Sequence, residues 1–283
     1  MRLSTLFGLM IVVAAAACAE GEKDYVVPSL VLDGGRRDGA TFEAGGGDDA
    51  GPGDDAATDA APDAPNRPDA SDGSVAIVPP TVDGVVNAGE YGLHTNGMNQ
   101  QVSDVGTTTW YMTWDDTKLY VAVTNAAVAE ALVLYVDTAP LAVSNGGTNA
   151  DGTLAGYTYD GTSVTLPIRA DFALYAKSTY NEGRKADGAG SFGAPTVSVA
   201  TFAGTGTTRE IAIPWAAISA GGRPAKFSFT GYLTSSTAFV YGEMPPANPG
   251  NAVLAAAAPF TSYYKVDNAT PGTGTKPFST PLP

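Results

Sequence analysis

From Ala76 onward, apolar and polar side chains alternate in short runs separated by Gly, Asn, Asp and Pro. The stretch TTTWYMTWDDTKLYVAV, Thr107–Val123, is the clearest case. In an extended chain Trp110, Met112 and Trp114 point one way and Tyr111 and Thr113 the other. Asp115 and Asp116 are turn formers, and the returning run sets Leu119, Val121 and Val123 against Tyr120, Ala122 and Thr124. The apolar set Trp110, Met112, Trp114, Leu119, Val121 and Val123 is therefore one core face. Trp110 opens the strand, so its place is open between the core edge and the exposed rim.

Similar runs predict strands over Ala131–Asp137, Ala170–Lys177, Thr196–Phe202, Arg209–Pro214, Lys226–Thr234 and Ala238–Glu243, and a last one at Ser262–Val266. Only IPWAAISAGG reads as a helical turn, opened by Pro214 and closed by Gly221. The pattern predicts an all-β fold, a jelly-roll-like β-sandwich of eight or nine strands.

The pattern breaks before Ala76. The first eighteen residues, MRLSTLFGLMIVVAAAAC, carry Arg2, an apolar stretch from Leu6 to Val13 and a run of alanines. They read as a secretory signal, too short to span a membrane. Cys18 is the only cysteine and follows Ala15-Ala16-Ala17 directly. This resembles the lipobox of bacterial lipoproteins, which implies lipidation of Cys18 and a membrane anchor, with Ala15 where the family most often has Leu. At about 0.8 kcal/mol per buried methylene, several acyl chains make such an anchor effectively permanent.

Residues 19–75 are the expected tether, and Leu32–Ser74 is nearly all Asp, Ala, Gly and Pro. Such a segment buries too little apolar surface to offset its ordering entropy and should be disordered. From Asp33 to Val75 it holds eleven acids against three arginines, −8 of the chain's −14, while residues from Ala76 on carry only −5. The acidity therefore belongs mostly to the tether, which spans roughly 35 Å r.m.s. and would repel phosphate. With no basic face, nucleic acid is excluded as a partner.

Catalytic and metal chemistry finds few footholds. AGSFG, Ala189–Gly193, lacks the first glycine and the following helix of a nucleophile elbow. His94 is the only histidine and lies far upstream. A glycosidase needs two carboxylates, for which Glu182, Glu210 and Glu243 are available, although Glu210 reads as the solvent face of its strand. His94 with Met98 or Met112 could ligate haem, but one histidine and one cysteine make no zinc site. Calcium stays open: Asn145, Asn149 and Asp151 lie on a turning loop after Asp137, all with hard oxygen ligands.

Five landmarks occur in order: TVDGVVNAGEYG (Thr81–Gly92), TWDDTKLYVAV (Thr113–Val123), EALVLYVDT (Glu130–Thr138), ADFALYAKSTYNEGRKADGAG (Ala170–Gly190) and REIAIPWAAI (Arg209–Ile218). Together they resemble the family 9 carbohydrate-binding modules and their DOMON-like relatives. The resemblance implies the β-sandwich and a non-catalytic sugar-binding role. The family clamps a terminal sugar between two aromatic rings, a pair with no residue-by-residue match here. The loop STYNEGRKADG has the best local composition for a site. Tyr180 could stack on a sugar while Asn181, Glu182 and Arg184 bond its hydroxyls. Tyr241 and Glu243 in FVYGEMPP are further candidates, and Trp110 is the tryptophan most exposed to a ligand.

The expectation is thus a lipid-anchored lipoprotein of the outer membrane or cell surface that binds polysaccharide or oligosaccharide, not an enzyme. The alternative is a structural or protein-interaction module that keeps the sandwich without a sugar site.

Overall fold

A computed structural model describes residues 78–103, 107–141, 149–254, 256–271 and 275–283. Cys18, the acidic tether and Asn145 lie outside the described residues. The described residues belong to the second of two compact units, Ala64–Pro283.

Seventeen strands are present among the described residues. The first group is β1 (Gln100–Val102), β2 (Thr109–Trp114), β3 (Lys118–Thr124), β4 (Ala131–Asp137), β5 (Thr153–Ala155) and β6 (Val164–Ala170). Next come β7 (Phe172–Lys177), β8 (Tyr180–Lys185), β9 (Thr196–Val197), β10 (Thr201–Thr205) and β11 (Thr208–Pro214). The helical turn α1 (Trp215–Ile218) follows, then β12 (Phe227–Thr234), β13 (Phe239–Met244) and β14 (Ala252–Val253). The last are β15 (Ala258–Pro259), β16 (Tyr263–Val266) and β17 (Pro281–Leu282).

They form three sheets. Sheet A has the order β1-β2-β3-β11-β10. Sheet B has the order β14-β13-β12-β4-β7-β8-β9, with β16 paired to β12 and β17 to β16. Sheet C is the short β15-β6-β5. Sheets A and B make the sandwich, and the expected core face lies between them: Trp110, Met112, Trp114, Leu119, Val121 and Val123 pack with Leu134, Phe172, Ile213, Phe229 and others. The hairpin forms because Asp115 Oδ1 accepts the Thr117 and Lys118 amides at 2.6 and 2.7 Å, locking the turn.

Sheet B is covered on both faces. On its outer side Val133, Tyr135, Ala173 and Tyr232 pack against Val164 and Leu166 of sheet C. This double burial explains why β4 and β12 read as unbroken apolar or small runs, a pattern expected of strands without a solvent face. The outer face of sheet A is closed by the segment around Tyr91, against Tyr120, Ala122 and Ala212.

Glu210 belongs to that closure, which corrects its expected solvent-facing position. It is fully buried, and Oε2 accepts the amides of Asp83, Gly84 and Val85 at 3.0, 2.8 and 3.2 Å. The Tyr91 hydroxyl donates to Oε1 at 3.0 Å. The Asp-Gly landmark is thus held to the sheet by one carboxylate.

Two further expectations change. Thr196–Phe202 is broken into β9 and β10, with Ser198 between them at φ +55°. The stretch STYNEGRKADG is not a loop tip, because Tyr180–Lys185 is the strand β8. The true turn is Ser178-Thr179, and Gly183 sits flush on the Phe172 ring, where a Cβ would come within 2.6 Å of Cε2.

Candidate functional site

Because β8 is a strand, its side chains divide between two faces. Tyr180, Glu182 and Arg184 share the outer face of sheet B, opposite Lys177, Tyr175 and Ala173 of β7. Asn181 and Gly183 turn inward. Three of the residues expected in a sugar site therefore come together, and the fourth does not. Asn181 is buried, donating Nδ2 to the Ala200 carbonyl at 3.1 Å and accepting the Ala200 amide at 2.9 Å. It holds the segment after β9 to β8.

The three outer residues are fixed to one another. The Tyr180 hydroxyl donates to Glu182 Oε2 at 2.5 Å, and Arg184 Nε donates to Glu182 Oε1 at 2.8 Å. Arg184 Nη1 also donates to the Gly193 carbonyl at 2.9 Å. The guanidinium lies 3.8 Å above the centre of the Tyr157 ring, a cation–π contact. Tyr180 remains 44% exposed, so its ring presents an aromatic surface to solvent beside a carboxylate and guanidinium that are themselves mostly covered, 8% and 12% exposed at the side chain.

A second layer supports this surface. Tyr175 meets Tyr180 edge-on at 6.1 Å and stacks on Tyr159 at 4.7 Å. The Tyr175 hydroxyl donates to Asp160 Oδ1 at 3.2 Å, and Lys177 Nζ donates to Asp160 Oδ2 at 2.6 Å. Asp160 and Gly161 form the two-residue turn between Tyr159 and Thr162, both at positive φ, +48° and +80°. An Asp-Gly pair suits such a turn because both positions favour small or polar residues. Burial raises the phenol pKa of Tyr159 and Tyr175 well above the ordinary value, and for Tyr175 the adjacent Asp160 adds to it. Both hydroxyls stay protonated at neutral pH.

Tyr157, Tyr159, Asp160, Tyr175 and Lys177 were not expected in the site. The signal for them is the stretch GYTYDG, Gly156–Gly161: alternating tyrosines that run into Asp-Gly. The site carries two acids and two bases in fixed pairs, Arg184 with Glu182 and Lys177 with Asp160.

The other candidates lie elsewhere. Trp110 is 0% exposed and donates Nε1 to the Gly242 carbonyl at 2.7 Å, so it belongs to the core and is removed from the ligand surface. Trp114 and Trp215 are buried as well, bonded to the carbonyls of Ala269 and Asp115. Tyr241 and Glu243 lie on β13, which β12, β4 and β7 separate from β8, a distance of about 19 Å at strand spacing. The half-buried Tyr241 donates its hydroxyl to Glu130. Glu243 is buried and packed on Gly250, where a Cβ would stand 1.0 Å from its Oε1. Glu182, Glu210 and Glu243 thus occupy three separate places and do not form a facing pair. Met112 is in the inner core, whereas His94 lies beside Tyr111 on the outer side of sheet A, so the two do not face one iron.

For the calcium candidates, Asp137 ends β4 and is buried, and Asp151 ends a 3-10 turn, Asn149–Asp151. Asn145 and the Asn149 side chain are outside the described residues. Among the described residues no group of three or more His, Cys, Asp or Glu is placed to hold a metal ion. Asp171, at the turn into β7, is engaged with the Thr138 amide and hydroxyl, both at 2.7 Å.

Compared with known protein families and with curated proteins, the chain matches none.

Proposed function

We propose that the sandwich is a non-catalytic module that binds polysaccharide or oligosaccharide on the outer face of β8, carried on a lipoprotein anchored through Cys18. Tyr180 stacks on a sugar ring, and Glu182, Arg184 and Tyr157 contact its hydroxyls and edge. The observation that carries the reading is the exposed Tyr180 ring beside the fixed Glu182–Arg184 pair. Aromatic faces recognise the apolar side of a sugar, and preorganised charged groups bond its vicinal hydroxyls at low entropic cost. The family 9 resemblance and the order of anchor, acidic spacer and module favour capture of an extended glycan at the outer membrane or cell surface.

Calorimetric titration with xylan, cellulose fragments and simple sugars tests this. Calorimetry is preferable to tryptophan emission because all three tryptophans are buried. Tyr180→Ala lowers affinity about tenfold, the scale of one lost stacking contact, and costs about 1 kcal/mol of stability through the lost hydroxyl bond to Glu182 and the ring contact with Tyr175. A flat titration across plant and microbial glycans, with and without Ca²⁺, overturns the reading.

A second reading has its own support. Both Glu182 oxygens already bond within the chain, as a structural or protein-interaction module without a sugar site requires. On that reading Arg184→Ala destabilises the domain and no glycan binds.

A further inference from the structure

The outer face of sheet B carries a second polar group at the end away from Tyr180. Asp137 closes β4, Ser228 faces it on β12, and Lys265 faces Ser228 on β16. Val136, Phe227, Phe229 and Val266 point into the inner core, so Asp137, Ser228 and Lys265 share the outer face in one row, each about 5 Å from the next. The row lines a cleft of about 100 Å³ whose walls include Ile168 of β6, Leu141 and Leu282.

The polar atoms of this row are incompletely used. Asp137 is 2% exposed and accepts the Ala139 amide on Oδ1 at 2.9 Å. Among the described residues no hydrogen bond engages its Oδ2. Ser228 is fully buried, and its Oγ has no hydrogen-bond partner among the described residues. A buried hydroxyl without a partner is costly, and a ligand donor offsets that cost. Lys265 bonds Asp267 at 2.7 Å at the open side, where the acid is 77% exposed, so the pair exchanges for little energy.

We propose that this cleft binds a small zwitterion, its ammonium on Asp137 and Ser228 and its carboxylate on Lys265. An ammonium has three donors and serves both acceptors at once. A divalent cation would need six or more oxygens, which the cleft does not bring together. Asp137 and Lys265 stand two strands apart, about 10 Å between backbones, so the two charges of the ligand are separated by several methylenes that lie along Ile168, Leu141 and Leu282. The ligand class is an ω-amino acid.

Calorimetric titration of the full chain near pH 8 with 4-aminobutyrate, butylamine and butyrate tests this. The expected result is saturable binding of 4-aminobutyrate, about tenfold or more tighter than either singly charged analogue. Asp137→Asn abolishes it, Lys265→Met reduces it to the level of butylamine, and Tyr180→Ala leaves it unchanged. Should Asp137→Asn fail to fold, Lys265→Met on the exposed rim carries the test alone. No binding of 4-aminobutyrate, or binding no tighter than that of butyrate, overturns the proposal.

Discussion

Replacing Glu210 by alanine removes one acceptor from four donors. The amides of Asp83 and Val85 sit at the margin of the contact and can turn to water, whereas the Gly84 amide and the Tyr91 hydroxyl are buried. A buried donor left unpaired costs about 1–3 kcal/mol, so the two together cost about 2–6 kcal/mol. Domains of this kind have about 5–15 kcal/mol in all, so the loss is a large share. At roughly 2–4 °C per kcal/mol for a domain of this size, it lowers Tm by roughly 10 °C. Glu210→Gln keeps one acceptor oxygen but turns an NH₂ group toward N–H or O–H donors, and falls between wild type and alanine. Urea denaturation gives the free energies, and limited proteolysis reports whether the segment 81–91 detaches first. A midpoint change in Glu210→Ala equivalent to less than about 1 kcal/mol would show that the segment is held by something other than this carboxylate.

Two more predictions concern buried side chains, Asp137 and Glu243. Asp137 is pushed up to about 7 from the ordinary 3.8 by burial, with Asp171 and Asp151 adding and Lys226 opposing. It holds its proton more tightly folded than unfolded, so stability falls as pH rises from about 4 to 7 and is level above. At 1.36 kcal/mol per pH unit that span is worth about 4 kcal/mol at most. Asp137→Asn flattens it, and denaturation of both proteins near pH 4.5 and pH 8 must show a steeper loss in wild type for the reasoning to stand. Gly250→Ala drives a Cβ into the buried Glu243 side chain and costs about 1–3 kcal/mol; a thermal midpoint equal to wild type would refute that packing.

The sandwich was legible because its inner faces obey a period of two. Met112, Trp114 and Leu119 to Val123 name the core without any structure, whereas Trp110, left open between core and rim, needed the fold to place it, and the Asp115 turn follows from residue type. Sheet C was hidden. VTLPIRA holds a proline and two polar residues, and it becomes a strand through pairing with β5 and β15 and packing on Tyr135 and Tyr232. The candidate site was half visible for the same reason. Tyr180, Glu182 and Arg184 looked like a solvated loop because polar residues run on both sides of a glycine, yet Gly183 is small so that Phe172 can lie against it. Tyr157, the ring beneath Arg184, is more than twenty residues away in sequence and meets it only through the tertiary fold. Glu210 was misplaced because a charged residue in an alternating strand reads as exposed unless the segment that covers it is known.

The central strand β4 has consequences for how the chain is made. Its hydrogen-bonding neighbour β12 lies roughly ninety residues further on, and at synthesis rates of about 5–20 residues per second the wait lasts several seconds or more. Until β12 arrives, Ala131–Asp137 has one bare edge and apolar side chains on both faces, the features that recruit a wrong strand from another molecule. Pairing so distant in sequence also folds slowly. A holding chaperone therefore raises the yield of this domain most while β4 waits, and the edge that needs shielding is the one later taken by Phe227–Thr234.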